Sequence, residues 1–477
     1  MRLAQVVRHL SVRLDAKAVE LFSKLSAIFD STLPLGTIAE VRDLAPCEKP
    51  AEPFAYHEIS SVDDYGMGEP YWIDEGNIEP GSEEERILTK INRGDIATPR
   101  TGTVLIPKVR PHLGKFVLVR KADDTYYTTA FLEARPKGVS AELLYCVLKH
   151  PAVLGQIYCI SSIGKGYPTV SPFDLTRLAR VPPSLLAIEP EMENAVRQQV
   201  RDLFNGLLKI RKEREFIDAV FEDRLGFKEQ ELPPATPWFK LPLSGMGMSF
   251  DLRMSAHFVQ PASAAAMQRV RQSDDVKIAR LCALPISLGV SPELYLGESG
   301  YYYLGPQAMA TERLNLEKLD AITDQFYKTM EPLFGVQRGD VFLRRSGASL
   351  GKVLHLDTDL PCIFSDFMMR IRFRDPGVGK YAAYWMRSTT FQKLIKTLAV
   401  VGKGLQNIYP YQVALMPIPS PQKHNFEEIV KEVDQEVSRN DRVKAEARHK
   451  VVALKERLSQ DLGFAVLEPL LQKDAGL

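Results

Sequence analysis

The chain repeats itself once, at a distance of about half its length and with its parts in the same order. Gly94-Asp95-Ile96 returns as Gly339-Asp340-Val341, Leu113-Gly114-Lys115 as Leu350-Gly351-Lys352, Gly164-Lys165-Gly166 as Gly402-Lys403-Gly404, Val181-Pro182 as Ile418-Pro419, and Leu225-Gly226-Phe227 as Leu462-Gly463-Phe464. From Leu113 onward the offset is 237 or 238 residues, whereas the first pair stands 245 apart. The difference falls between Gly-Asp and Gly-Lys, a stretch that is longer in the first copy and holds Pro99, Pro107 and Pro111. A two-copy repeat of this length is too long for a solenoid unit and implies two homologous halves in a pseudo-twofold molecule. Such a molecule suits a ligand with two related halves of its own, and bipartite DNA is one.

Each half ends in a helical pattern. Residues 190–225 place Val196, Val200, Leu203, Leu207, Ile210, Ile217, Phe221 and Leu225 in a charged background, with no internal proline and only Gly206 as a weak point. That spacing predicts one long amphipathic helix. Residues 425–462 repeat it with Phe426, Ile429, Val433, Val437, Val451, Leu454, Leu458 and Leu462. Proline-rich stops precede both segments, Val181-Pro182-Pro183 and Met416-Pro417-Ile418-Pro419-Ser420-Pro421, and Leu-Gly-Phe closes each, with glycine as the left-handed cap. A helix of about 35 residues is roughly 50 Å long, more than a compact domain needs to span itself. The two are expected to pack as an antiparallel coiled coil that holds two globules apart.

The globules read as mixed structure. Val104-Leu105-Ile106, Phe116-Val117-Leu118-Val119 and Met369-Arg370-Ile371-Arg372-Phe373 alternate with turn residues, and helices are expected at about 140–155 and 380–398. Arg13-Leu14-Asp15-Ala16 and Arg253-Met254-Ser255-Ala256 open the two copies, and the proline-rich region around Trp238 is the linker between them. The fold class is therefore α/β in the mixed α+β sense. Globules at 1–183 and 229–421 alternate with helical segments at 184–228 and 422–465, and a tail follows at 466–477.

With 477 residues, 45% of them hydrophobic, the chain is long enough for more than one core. A net charge of +1 excludes an indiscriminate polycation, so nucleic-acid contact has to come from local asymmetry. Two stretches supply it. No acidic residue lies between Asp95 and Asp123, where Arg100, Lys108, Arg110, Lys115, Arg120 and Lys121 fall, nor between Asp375 and Glu427, where Lys380, Arg387, Lys393, Lys396 and Lys403 fall. Cys47, Cys146, Cys159, Cys282 and Cys362 are scattered, with no Cys-x-x-Cys spacing, which points to a reducing cytoplasm and no structural zinc. Charges interrupt the N-terminal segment before a signal core forms, and no apolar run reaches membrane-spanning length, so a cytoplasmic location is expected.

The ordered duplication of Arg-Gly-Asp-Ile at 93–96 and Arg-Gly-Asp-Val at 338–341, of Arg110-Pro111-His112-Leu113-Gly114-Lys115 and Arg344-Arg345-Ser346-Gly347-Ala348-Ser349-Leu350-Gly351-Lys352, and of the proline turns before the helices resembles the specificity subunits of type I restriction–modification systems. The likeness covers nearly the whole chain, and the lengthened Gly-Asp to Gly-Lys stretch of the first copy departs from it. It implies two target-recognition domains, each reading one half of a split DNA site. It also implies helices that set the spacing between those halves, two adenine-N6 methyltransferase subunits as partners and, for cleavage, two restriction subunits. S-adenosylmethionine and ATP with Mg would then belong to the partners, and this chain would hold no cofactor and no metal.

Arginine can form a bidentate contact with guanine, and asparagine or glutamine with adenine, while lysine and arginine supply phosphate contacts. The candidates in the first copy are Arg100, Thr101, Lys108, Arg110, His112, Lys115, Lys165 and Tyr167. In the second they are Arg344, Arg345, Ser346, Lys352, Lys403, Gln406 and Asn407. Strand alternation would send Arg344 and Arg345 to opposite faces, one toward a groove and the other toward phosphate. The Gly-Asp pairs read as turns before strands, with Asp95 and Asp340 bonding local backbone. Gly347 to Gly351 is one residue too short for a P-loop, and Val353 stands where Ser or Thr would follow the lysine. There is no Asn-Pro-Pro-aromatic segment, no His-Glu-x-x-His and no Gly-x-Ser-x-Gly elbow, so the chain is read as non-catalytic. A duplicated protein-binding scaffold and a nuclease of unrecognised motif are the other readings. The first predicts no salt-sensitive DNA affinity, and the second predicts metal-dependent cleavage by the purified chain.

Overall fold

A computed structural model describes residues 31–78, 83–121, 125–164, 167–226, 261–291, 296–309, 313–347, 349–402 and 405–464. The Arg-containing segments at 13–16 and 253–256, the linker around Trp238, Lys165, Lys403 and the tail at 466–477 lie outside the described residues. The chain forms two compact units, residues 1–209 with 443–477 and residues 210–442. The first unit is therefore completed by the far end of the chain.

The repeat is realised strand for strand. In the first unit a four-stranded antiparallel sheet runs in the order Ala39–Asp43, Phe131–Pro136, Thr103–Pro107, Val117–Val119. In the second the order is Ser287–Leu288, Met368–Ile371, Val341–Arg344, Val353–His355. Register is kept as well, since Val104 faces Ala134 where Val341 faces Ile371. Each unit adds a three-stranded sheet whose middle strand, Phe54–His57 or Leu296–Leu304, has one antiparallel and one parallel neighbour. The proline-rich stops are themselves edge strands. Arg180–Val181 pairs with Leu33–Pro34, and Pro417–Pro419 with Asp275–Lys277, a placement that spares proline from donating to a ladder. The extra residues of the first copy lie before its strand, and the structure sets Gly102-Thr103 rather than Gly94-Asp95 in the place of Gly339-Asp340: Gly102 N donates to Val119 O at 2.7 Å as Gly339 N donates to Leu356 O at 2.8 Å.

The helices expected at 140–155 and 380–398 are each two helices. Ala141–Leu148 and Pro151–Ile160 part at His150, and Pro376–Arg387 and Thr389–Leu398 part at Ser388. Caps explain the breaks: His150 Nδ1 accepts from Ala152 N at 3.3 Å, and Ser388 Oγ accepts from Phe391 N at 3.3 Å. The first pair is apolar and bent by 66°, and its side chains are mostly core. Among the described residues no single helix is long and apolar enough to cross a membrane.

The pattern at 425–462 forms one helix, Phe426–Asp461, but the one at 190–225 does not. It divides into Pro190–Leu207 and Glu213–Leu225. The side-chain amide of Asn440 explains the gap, for its Oδ1 accepts from Arg211 N at 3.2 Å and its Nδ2 donates to Arg211 O at 2.8 Å. Backbone groups that a continuous helix would pair internally are thus satisfied from another element. Within the second unit, Glu213–Leu225 runs antiparallel to the first half of Phe426–Asp461. Arg211 pairs with Glu436 at 3.5 Å, while Arg224, further along, reaches Glu428 at 3.0 Å and also Glu432.

In the first unit, Leu454, Leu458, Leu462 and Phe464 enter the same core as Leu143, Val147, Val196, Val200 and Phe204. His150 sits at that seam, its Nε2 3.0 Å from Ser459 Oγ and its ring 4.3 Å from that of Phe464. Since Nδ1 accepts at the helix cap, the proton belongs on Nε2. Burial, reinforced by Lys455, pushes the His150 pKa down to about 4, and burial alone does the same to His57. Both bind a proton more readily when unfolded, so each withdraws up to about 3 kcal/mol of stability as pH falls from about 6.5 to 4. Thermal unfolding of the first unit is expected at falling temperatures across that window, and His150→Gln should flatten the dependence. A slope unchanged by that substitution would show that the cap does not titrate.

Candidate nucleic-acid interface

Each unit builds the same clasp between a turn that follows a strand of the four-stranded sheet and a later hairpin. In the first unit, the strand Thr103–Pro107 leads into a turn with one 3-10 segment, Pro111–Leu113, and the hairpin strands are Ser162–Gly164 and Tyr167–Thr169. Val170 N donates to Lys108 O at 3.0 Å and Arg110 N to Pro168 O at 2.8 Å. In the second unit, Ile408 N donates to Arg345 O at 3.0 Å and Gly347 N to Gln406 O at 3.3 Å, across the hairpin of Val400–Gly402 and Leu405–Asn407. Lys108, Val109 and Arg110 are therefore equivalent to Arg345, Ser346 and Gly347. Pro168 and Thr169 are likewise equivalent to Gln406 and Asn407.

The backbone conformation is shared where the side chains are not. Arg110 has φ 51° and Gly347 φ 78°, so the clasp demands a left-handed residue at this point. Glycine supplies it freely, whereas a side chain there stores about 1–3 kcal/mol of strain, and Pro111 restricts the preceding residue further. The Arg110 guanidinium carbon lies 4.4 Å from the ring centroid of Tyr167, which is half exposed.

The structure gathers Lys108, Arg110, His112, Lys115 and Tyr167 around the first clasp, and Arg344, Arg345, Ser346, Lys352, Gln406 and Asn407 around the second. Arg100 and Thr101 do not join them. They stand at the opposite end of the strand Thr103–Pro107, about 13 Å away at strand rise, in the stretch with no counterpart in the second copy. Lys108 is engaged, donating to Thr129 O at 2.8 Å and pairing with Asp43 at 2.8 Å. His112 packs edge-on against Tyr158 at 4.9 Å, and burial followed by the Arg110 charge lowers its pKa. Arg344 does not extend toward solvent as an alternating strand residue would, because its Nε turns back to Ser346 O at 3.3 Å. Arg345 is half-buried and Ser346 buried, while Lys352 and Gln406 are exposed.

The acid-free stretches are less free of acid in space than along the chain. Lys380 meets Asp434 at 2.9 Å and Arg387 meets Glu213 at 2.6 Å, carboxylates from distant helices. The Gly-Asp carboxylates also reach beyond the local backbone. Asp95 accepts from Thr128 Oγ1 at 2.8 Å and from Thr129 N and Oγ1 at 2.7 Å each, and Asp340 forms a two-bond ion pair with Arg372. Among the described residues no group of three His, Cys, Asp or Glu side chains is placed to hold a metal.

Exposed aromatics beside the hairpins escape a reading based on charge. Phe173 and Tyr411 occupy equivalent positions in the first turns of the helices Pro172–Arg177 and Pro410–Leu415, and both are exposed. The Tyr411 ring lies nearly parallel to that of Tyr409, 6.2 Å away. Such faces are the type on which bases stack. Their signal was in the sequence, as Ser171-Pro172-Phe173 returns at Tyr409-Pro410-Tyr411 with the offset of the repeat.

In three dimensions the chain is similar over nearly its whole length to chains of type I restriction–modification systems. One comes from a structure of complex assembly and conformational transition of a type I R-M system, with 17% identity over 93% of this chain and 97% of that one, at a TM-score of 0.30. A second is the HsdS subunit from Thermoanaerobacter tengcongensis, with 17% identity over 93% and 96% and a TM-score of 0.27. A third is the S subunit from M. genitalium, with 9% identity over 93% and 96% and a TM-score of 0.34. No family model and no curated protein matches the chain.

Proposed function

We propose that this chain is a DNA sequence-specificity subunit, each unit reading one part of a bipartite target. The observation that carries the reading is the clasp, built twice on one backbone plan and dressed differently: Arg110 and Pro168 in one unit stand where Gly347 and Gln406 stand in the other. A shared scaffold with unlike side chains at its tip suits two related ligand halves of different sequence. The exposed Phe173 and Tyr411 beside the hairpins support a surface that meets bases as well as phosphates. In this reading the helical segments set the spacing between the two parts. Catalysis belongs to two adenine-N6 methyltransferase subunits that use S-adenosylmethionine, joined for cleavage by ATP- and Mg-dependent restriction subunits.

Modification-aware sequencing of host DNA with and without the gene tests this directly. Deleting the gene is expected to remove N6-methyladenine from one split motif and no other. Unchanged methylation in a host whose methyltransferase partner is expressed and active would overturn the proposal.

A further inference from the structure

We infer that Arg110 reads a guanine in the first part of the target and that Tyr167 presents it, an assignment that rests on the DNA-binding reading above. The turn position is left-handed in both units, and only the first unit places a side chain there. A residue that occupies such a backbone at a cost, where its counterpart is glycine, is held there for what its side chain does. The side chain is exposed, makes no hydrogen bond to any described residue, and lies 4.4 Å over an exposed tyrosine ring.

That stack determines what the guanidinium can offer. The ring contact limits the freedom of the exposed guanidinium, and no hydrogen bond to a described residue takes up its fork of N–H donors. Two parallel donors match O6 and N7 of guanine in the major groove. Phosphate offers the same two-acceptor pattern, so the choice turns on the asymmetry between the units. A phosphate contact carries no sequence and serves both halves alike, whereas a side chain on the turn residue itself exists in one half only; beside Gly347 the Arg344 Nη2 comes within 3.8 Å of where a Cβ would stand, but its Nε is turned back to Ser346 O. The first unit is thereby committed to a G·C pair at the clasp, and the second reads its part by other side chains, among them the exposed Gln406 across the hairpin.

The test is selection from a library of duplexes with randomised cores, using the full-length chain and its Arg110→Gly, Arg110→Lys and Tyr167→Leu variants. Arg110→Gly places in the first clasp the residue that the second already uses, so folding is retained and is checked by circular dichroism. Wild type is expected to enrich a two-part motif with a G·C column in the first part. Both Arg110 variants should lose preference at that column by about ten- to a hundredfold and keep every other column. Lysine should not restore it, because it keeps the charge but lacks the fork. Tyr167→Leu should weaken the same column alone.

Three results would overturn the inference: an intact column in Arg110→Gly, a uniform loss across all columns, or recovery of the column by lysine, the last two marking a phosphate contact. A wild-type chain that enriches no motif fails in a different way and takes the DNA-binding reading with it.

Discussion

Ending the chain at Arg442 is expected to unfold the first unit and leave the second folded. The first unit draws residues 443–464 into its own compact body, and Leu454, Leu458, Leu462 and Phe464 are buried in its core. Four such side chains contribute about 1.5–3 kcal/mol each, roughly 6–12 kcal/mol together, by transfer out of water. Whole domains are stable by about 5–15 kcal/mol, so the loss is comparable to everything the unit has. Two bonds that tie the seam would also go, Ser184 Oγ to Leu462 O at 2.6 Å and His150 to Ser459. The second unit keeps its share of the same helix, since Ile429, Val433 and Asn440 precede the cut. Hydrogen exchange followed by mass spectrometry would report rapid exchange over residues 31–209 and preserved protection over 261–442. Preserved protection in the first stretch would mean that the C-terminal end does not complete its core. Leu458→Ala is a milder form of the same test, expected to cost about 2–5 kcal/mol.

Much of this organisation was legible in the sequence, because the repeat has a constant offset and β-sheet register follows from it. The offset of 237 carries Val104 onto Val341 and Ala134 onto Ile371, and both pairs face each other in their sheets. What the sequence hides is anything decided by a partner far along the chain. The uninterrupted helix expected at 190–225 fails because Asn440 takes both backbone groups of Arg211, and nothing local announces an amide from the opposite helix. The positive stretches fail in part for the same reason: Lys380 and Arg387 look unopposed along the chain yet face Asp434 and Glu213 across helices. At the clasp, Arg110 and Tyr167 were each legible as candidates, but their stack was not, since it depends on the hairpin folding back onto the turn. Charge counting also passed over Phe173, Tyr409 and Tyr411, although the duplicated proline before Phe173 and Tyr411 marked the place.

Replacing Arg372 with alanine is expected to destabilise the second unit by about 3–5 kcal/mol, the cost of leaving a buried carboxylate without its counter-charge. Asp340 is fully buried at the foot of the strand Val341–Arg344, and Arg372 meets both of its oxygens at 2.7 Å, through Nε and Nη2. Among the described residues the only other donor to that carboxylate is a backbone amide, Gln337 N at 3.0 Å to Oδ2, and one amide does not offset a buried negative charge. Arg372→Lys should retain only part of the stability, because an ammonium cannot make both parallel bonds. Removing the charge along with its partner, in Asp340→Asn with Arg372→Met, should recover much of the loss. Unfolding can be followed through Trp385, which is buried in the second unit, whereas Trp72 in the first is exposed and reports little. The first unit offers a built-in contrast, for the register puts neutral Thr103 where Asp340 stands, and Arg135, in the place of Arg372, pairs with Glu133 instead. The start of the same strand thus carries a neutral threonine in one copy and a buried ion pair in the other. Loss of Arg372 should therefore lower the second unit's urea midpoint and leave the first unit's, read by hydrogen exchange over residues 31–209, unchanged; a shift shared by both would mean that the pair does not act locally.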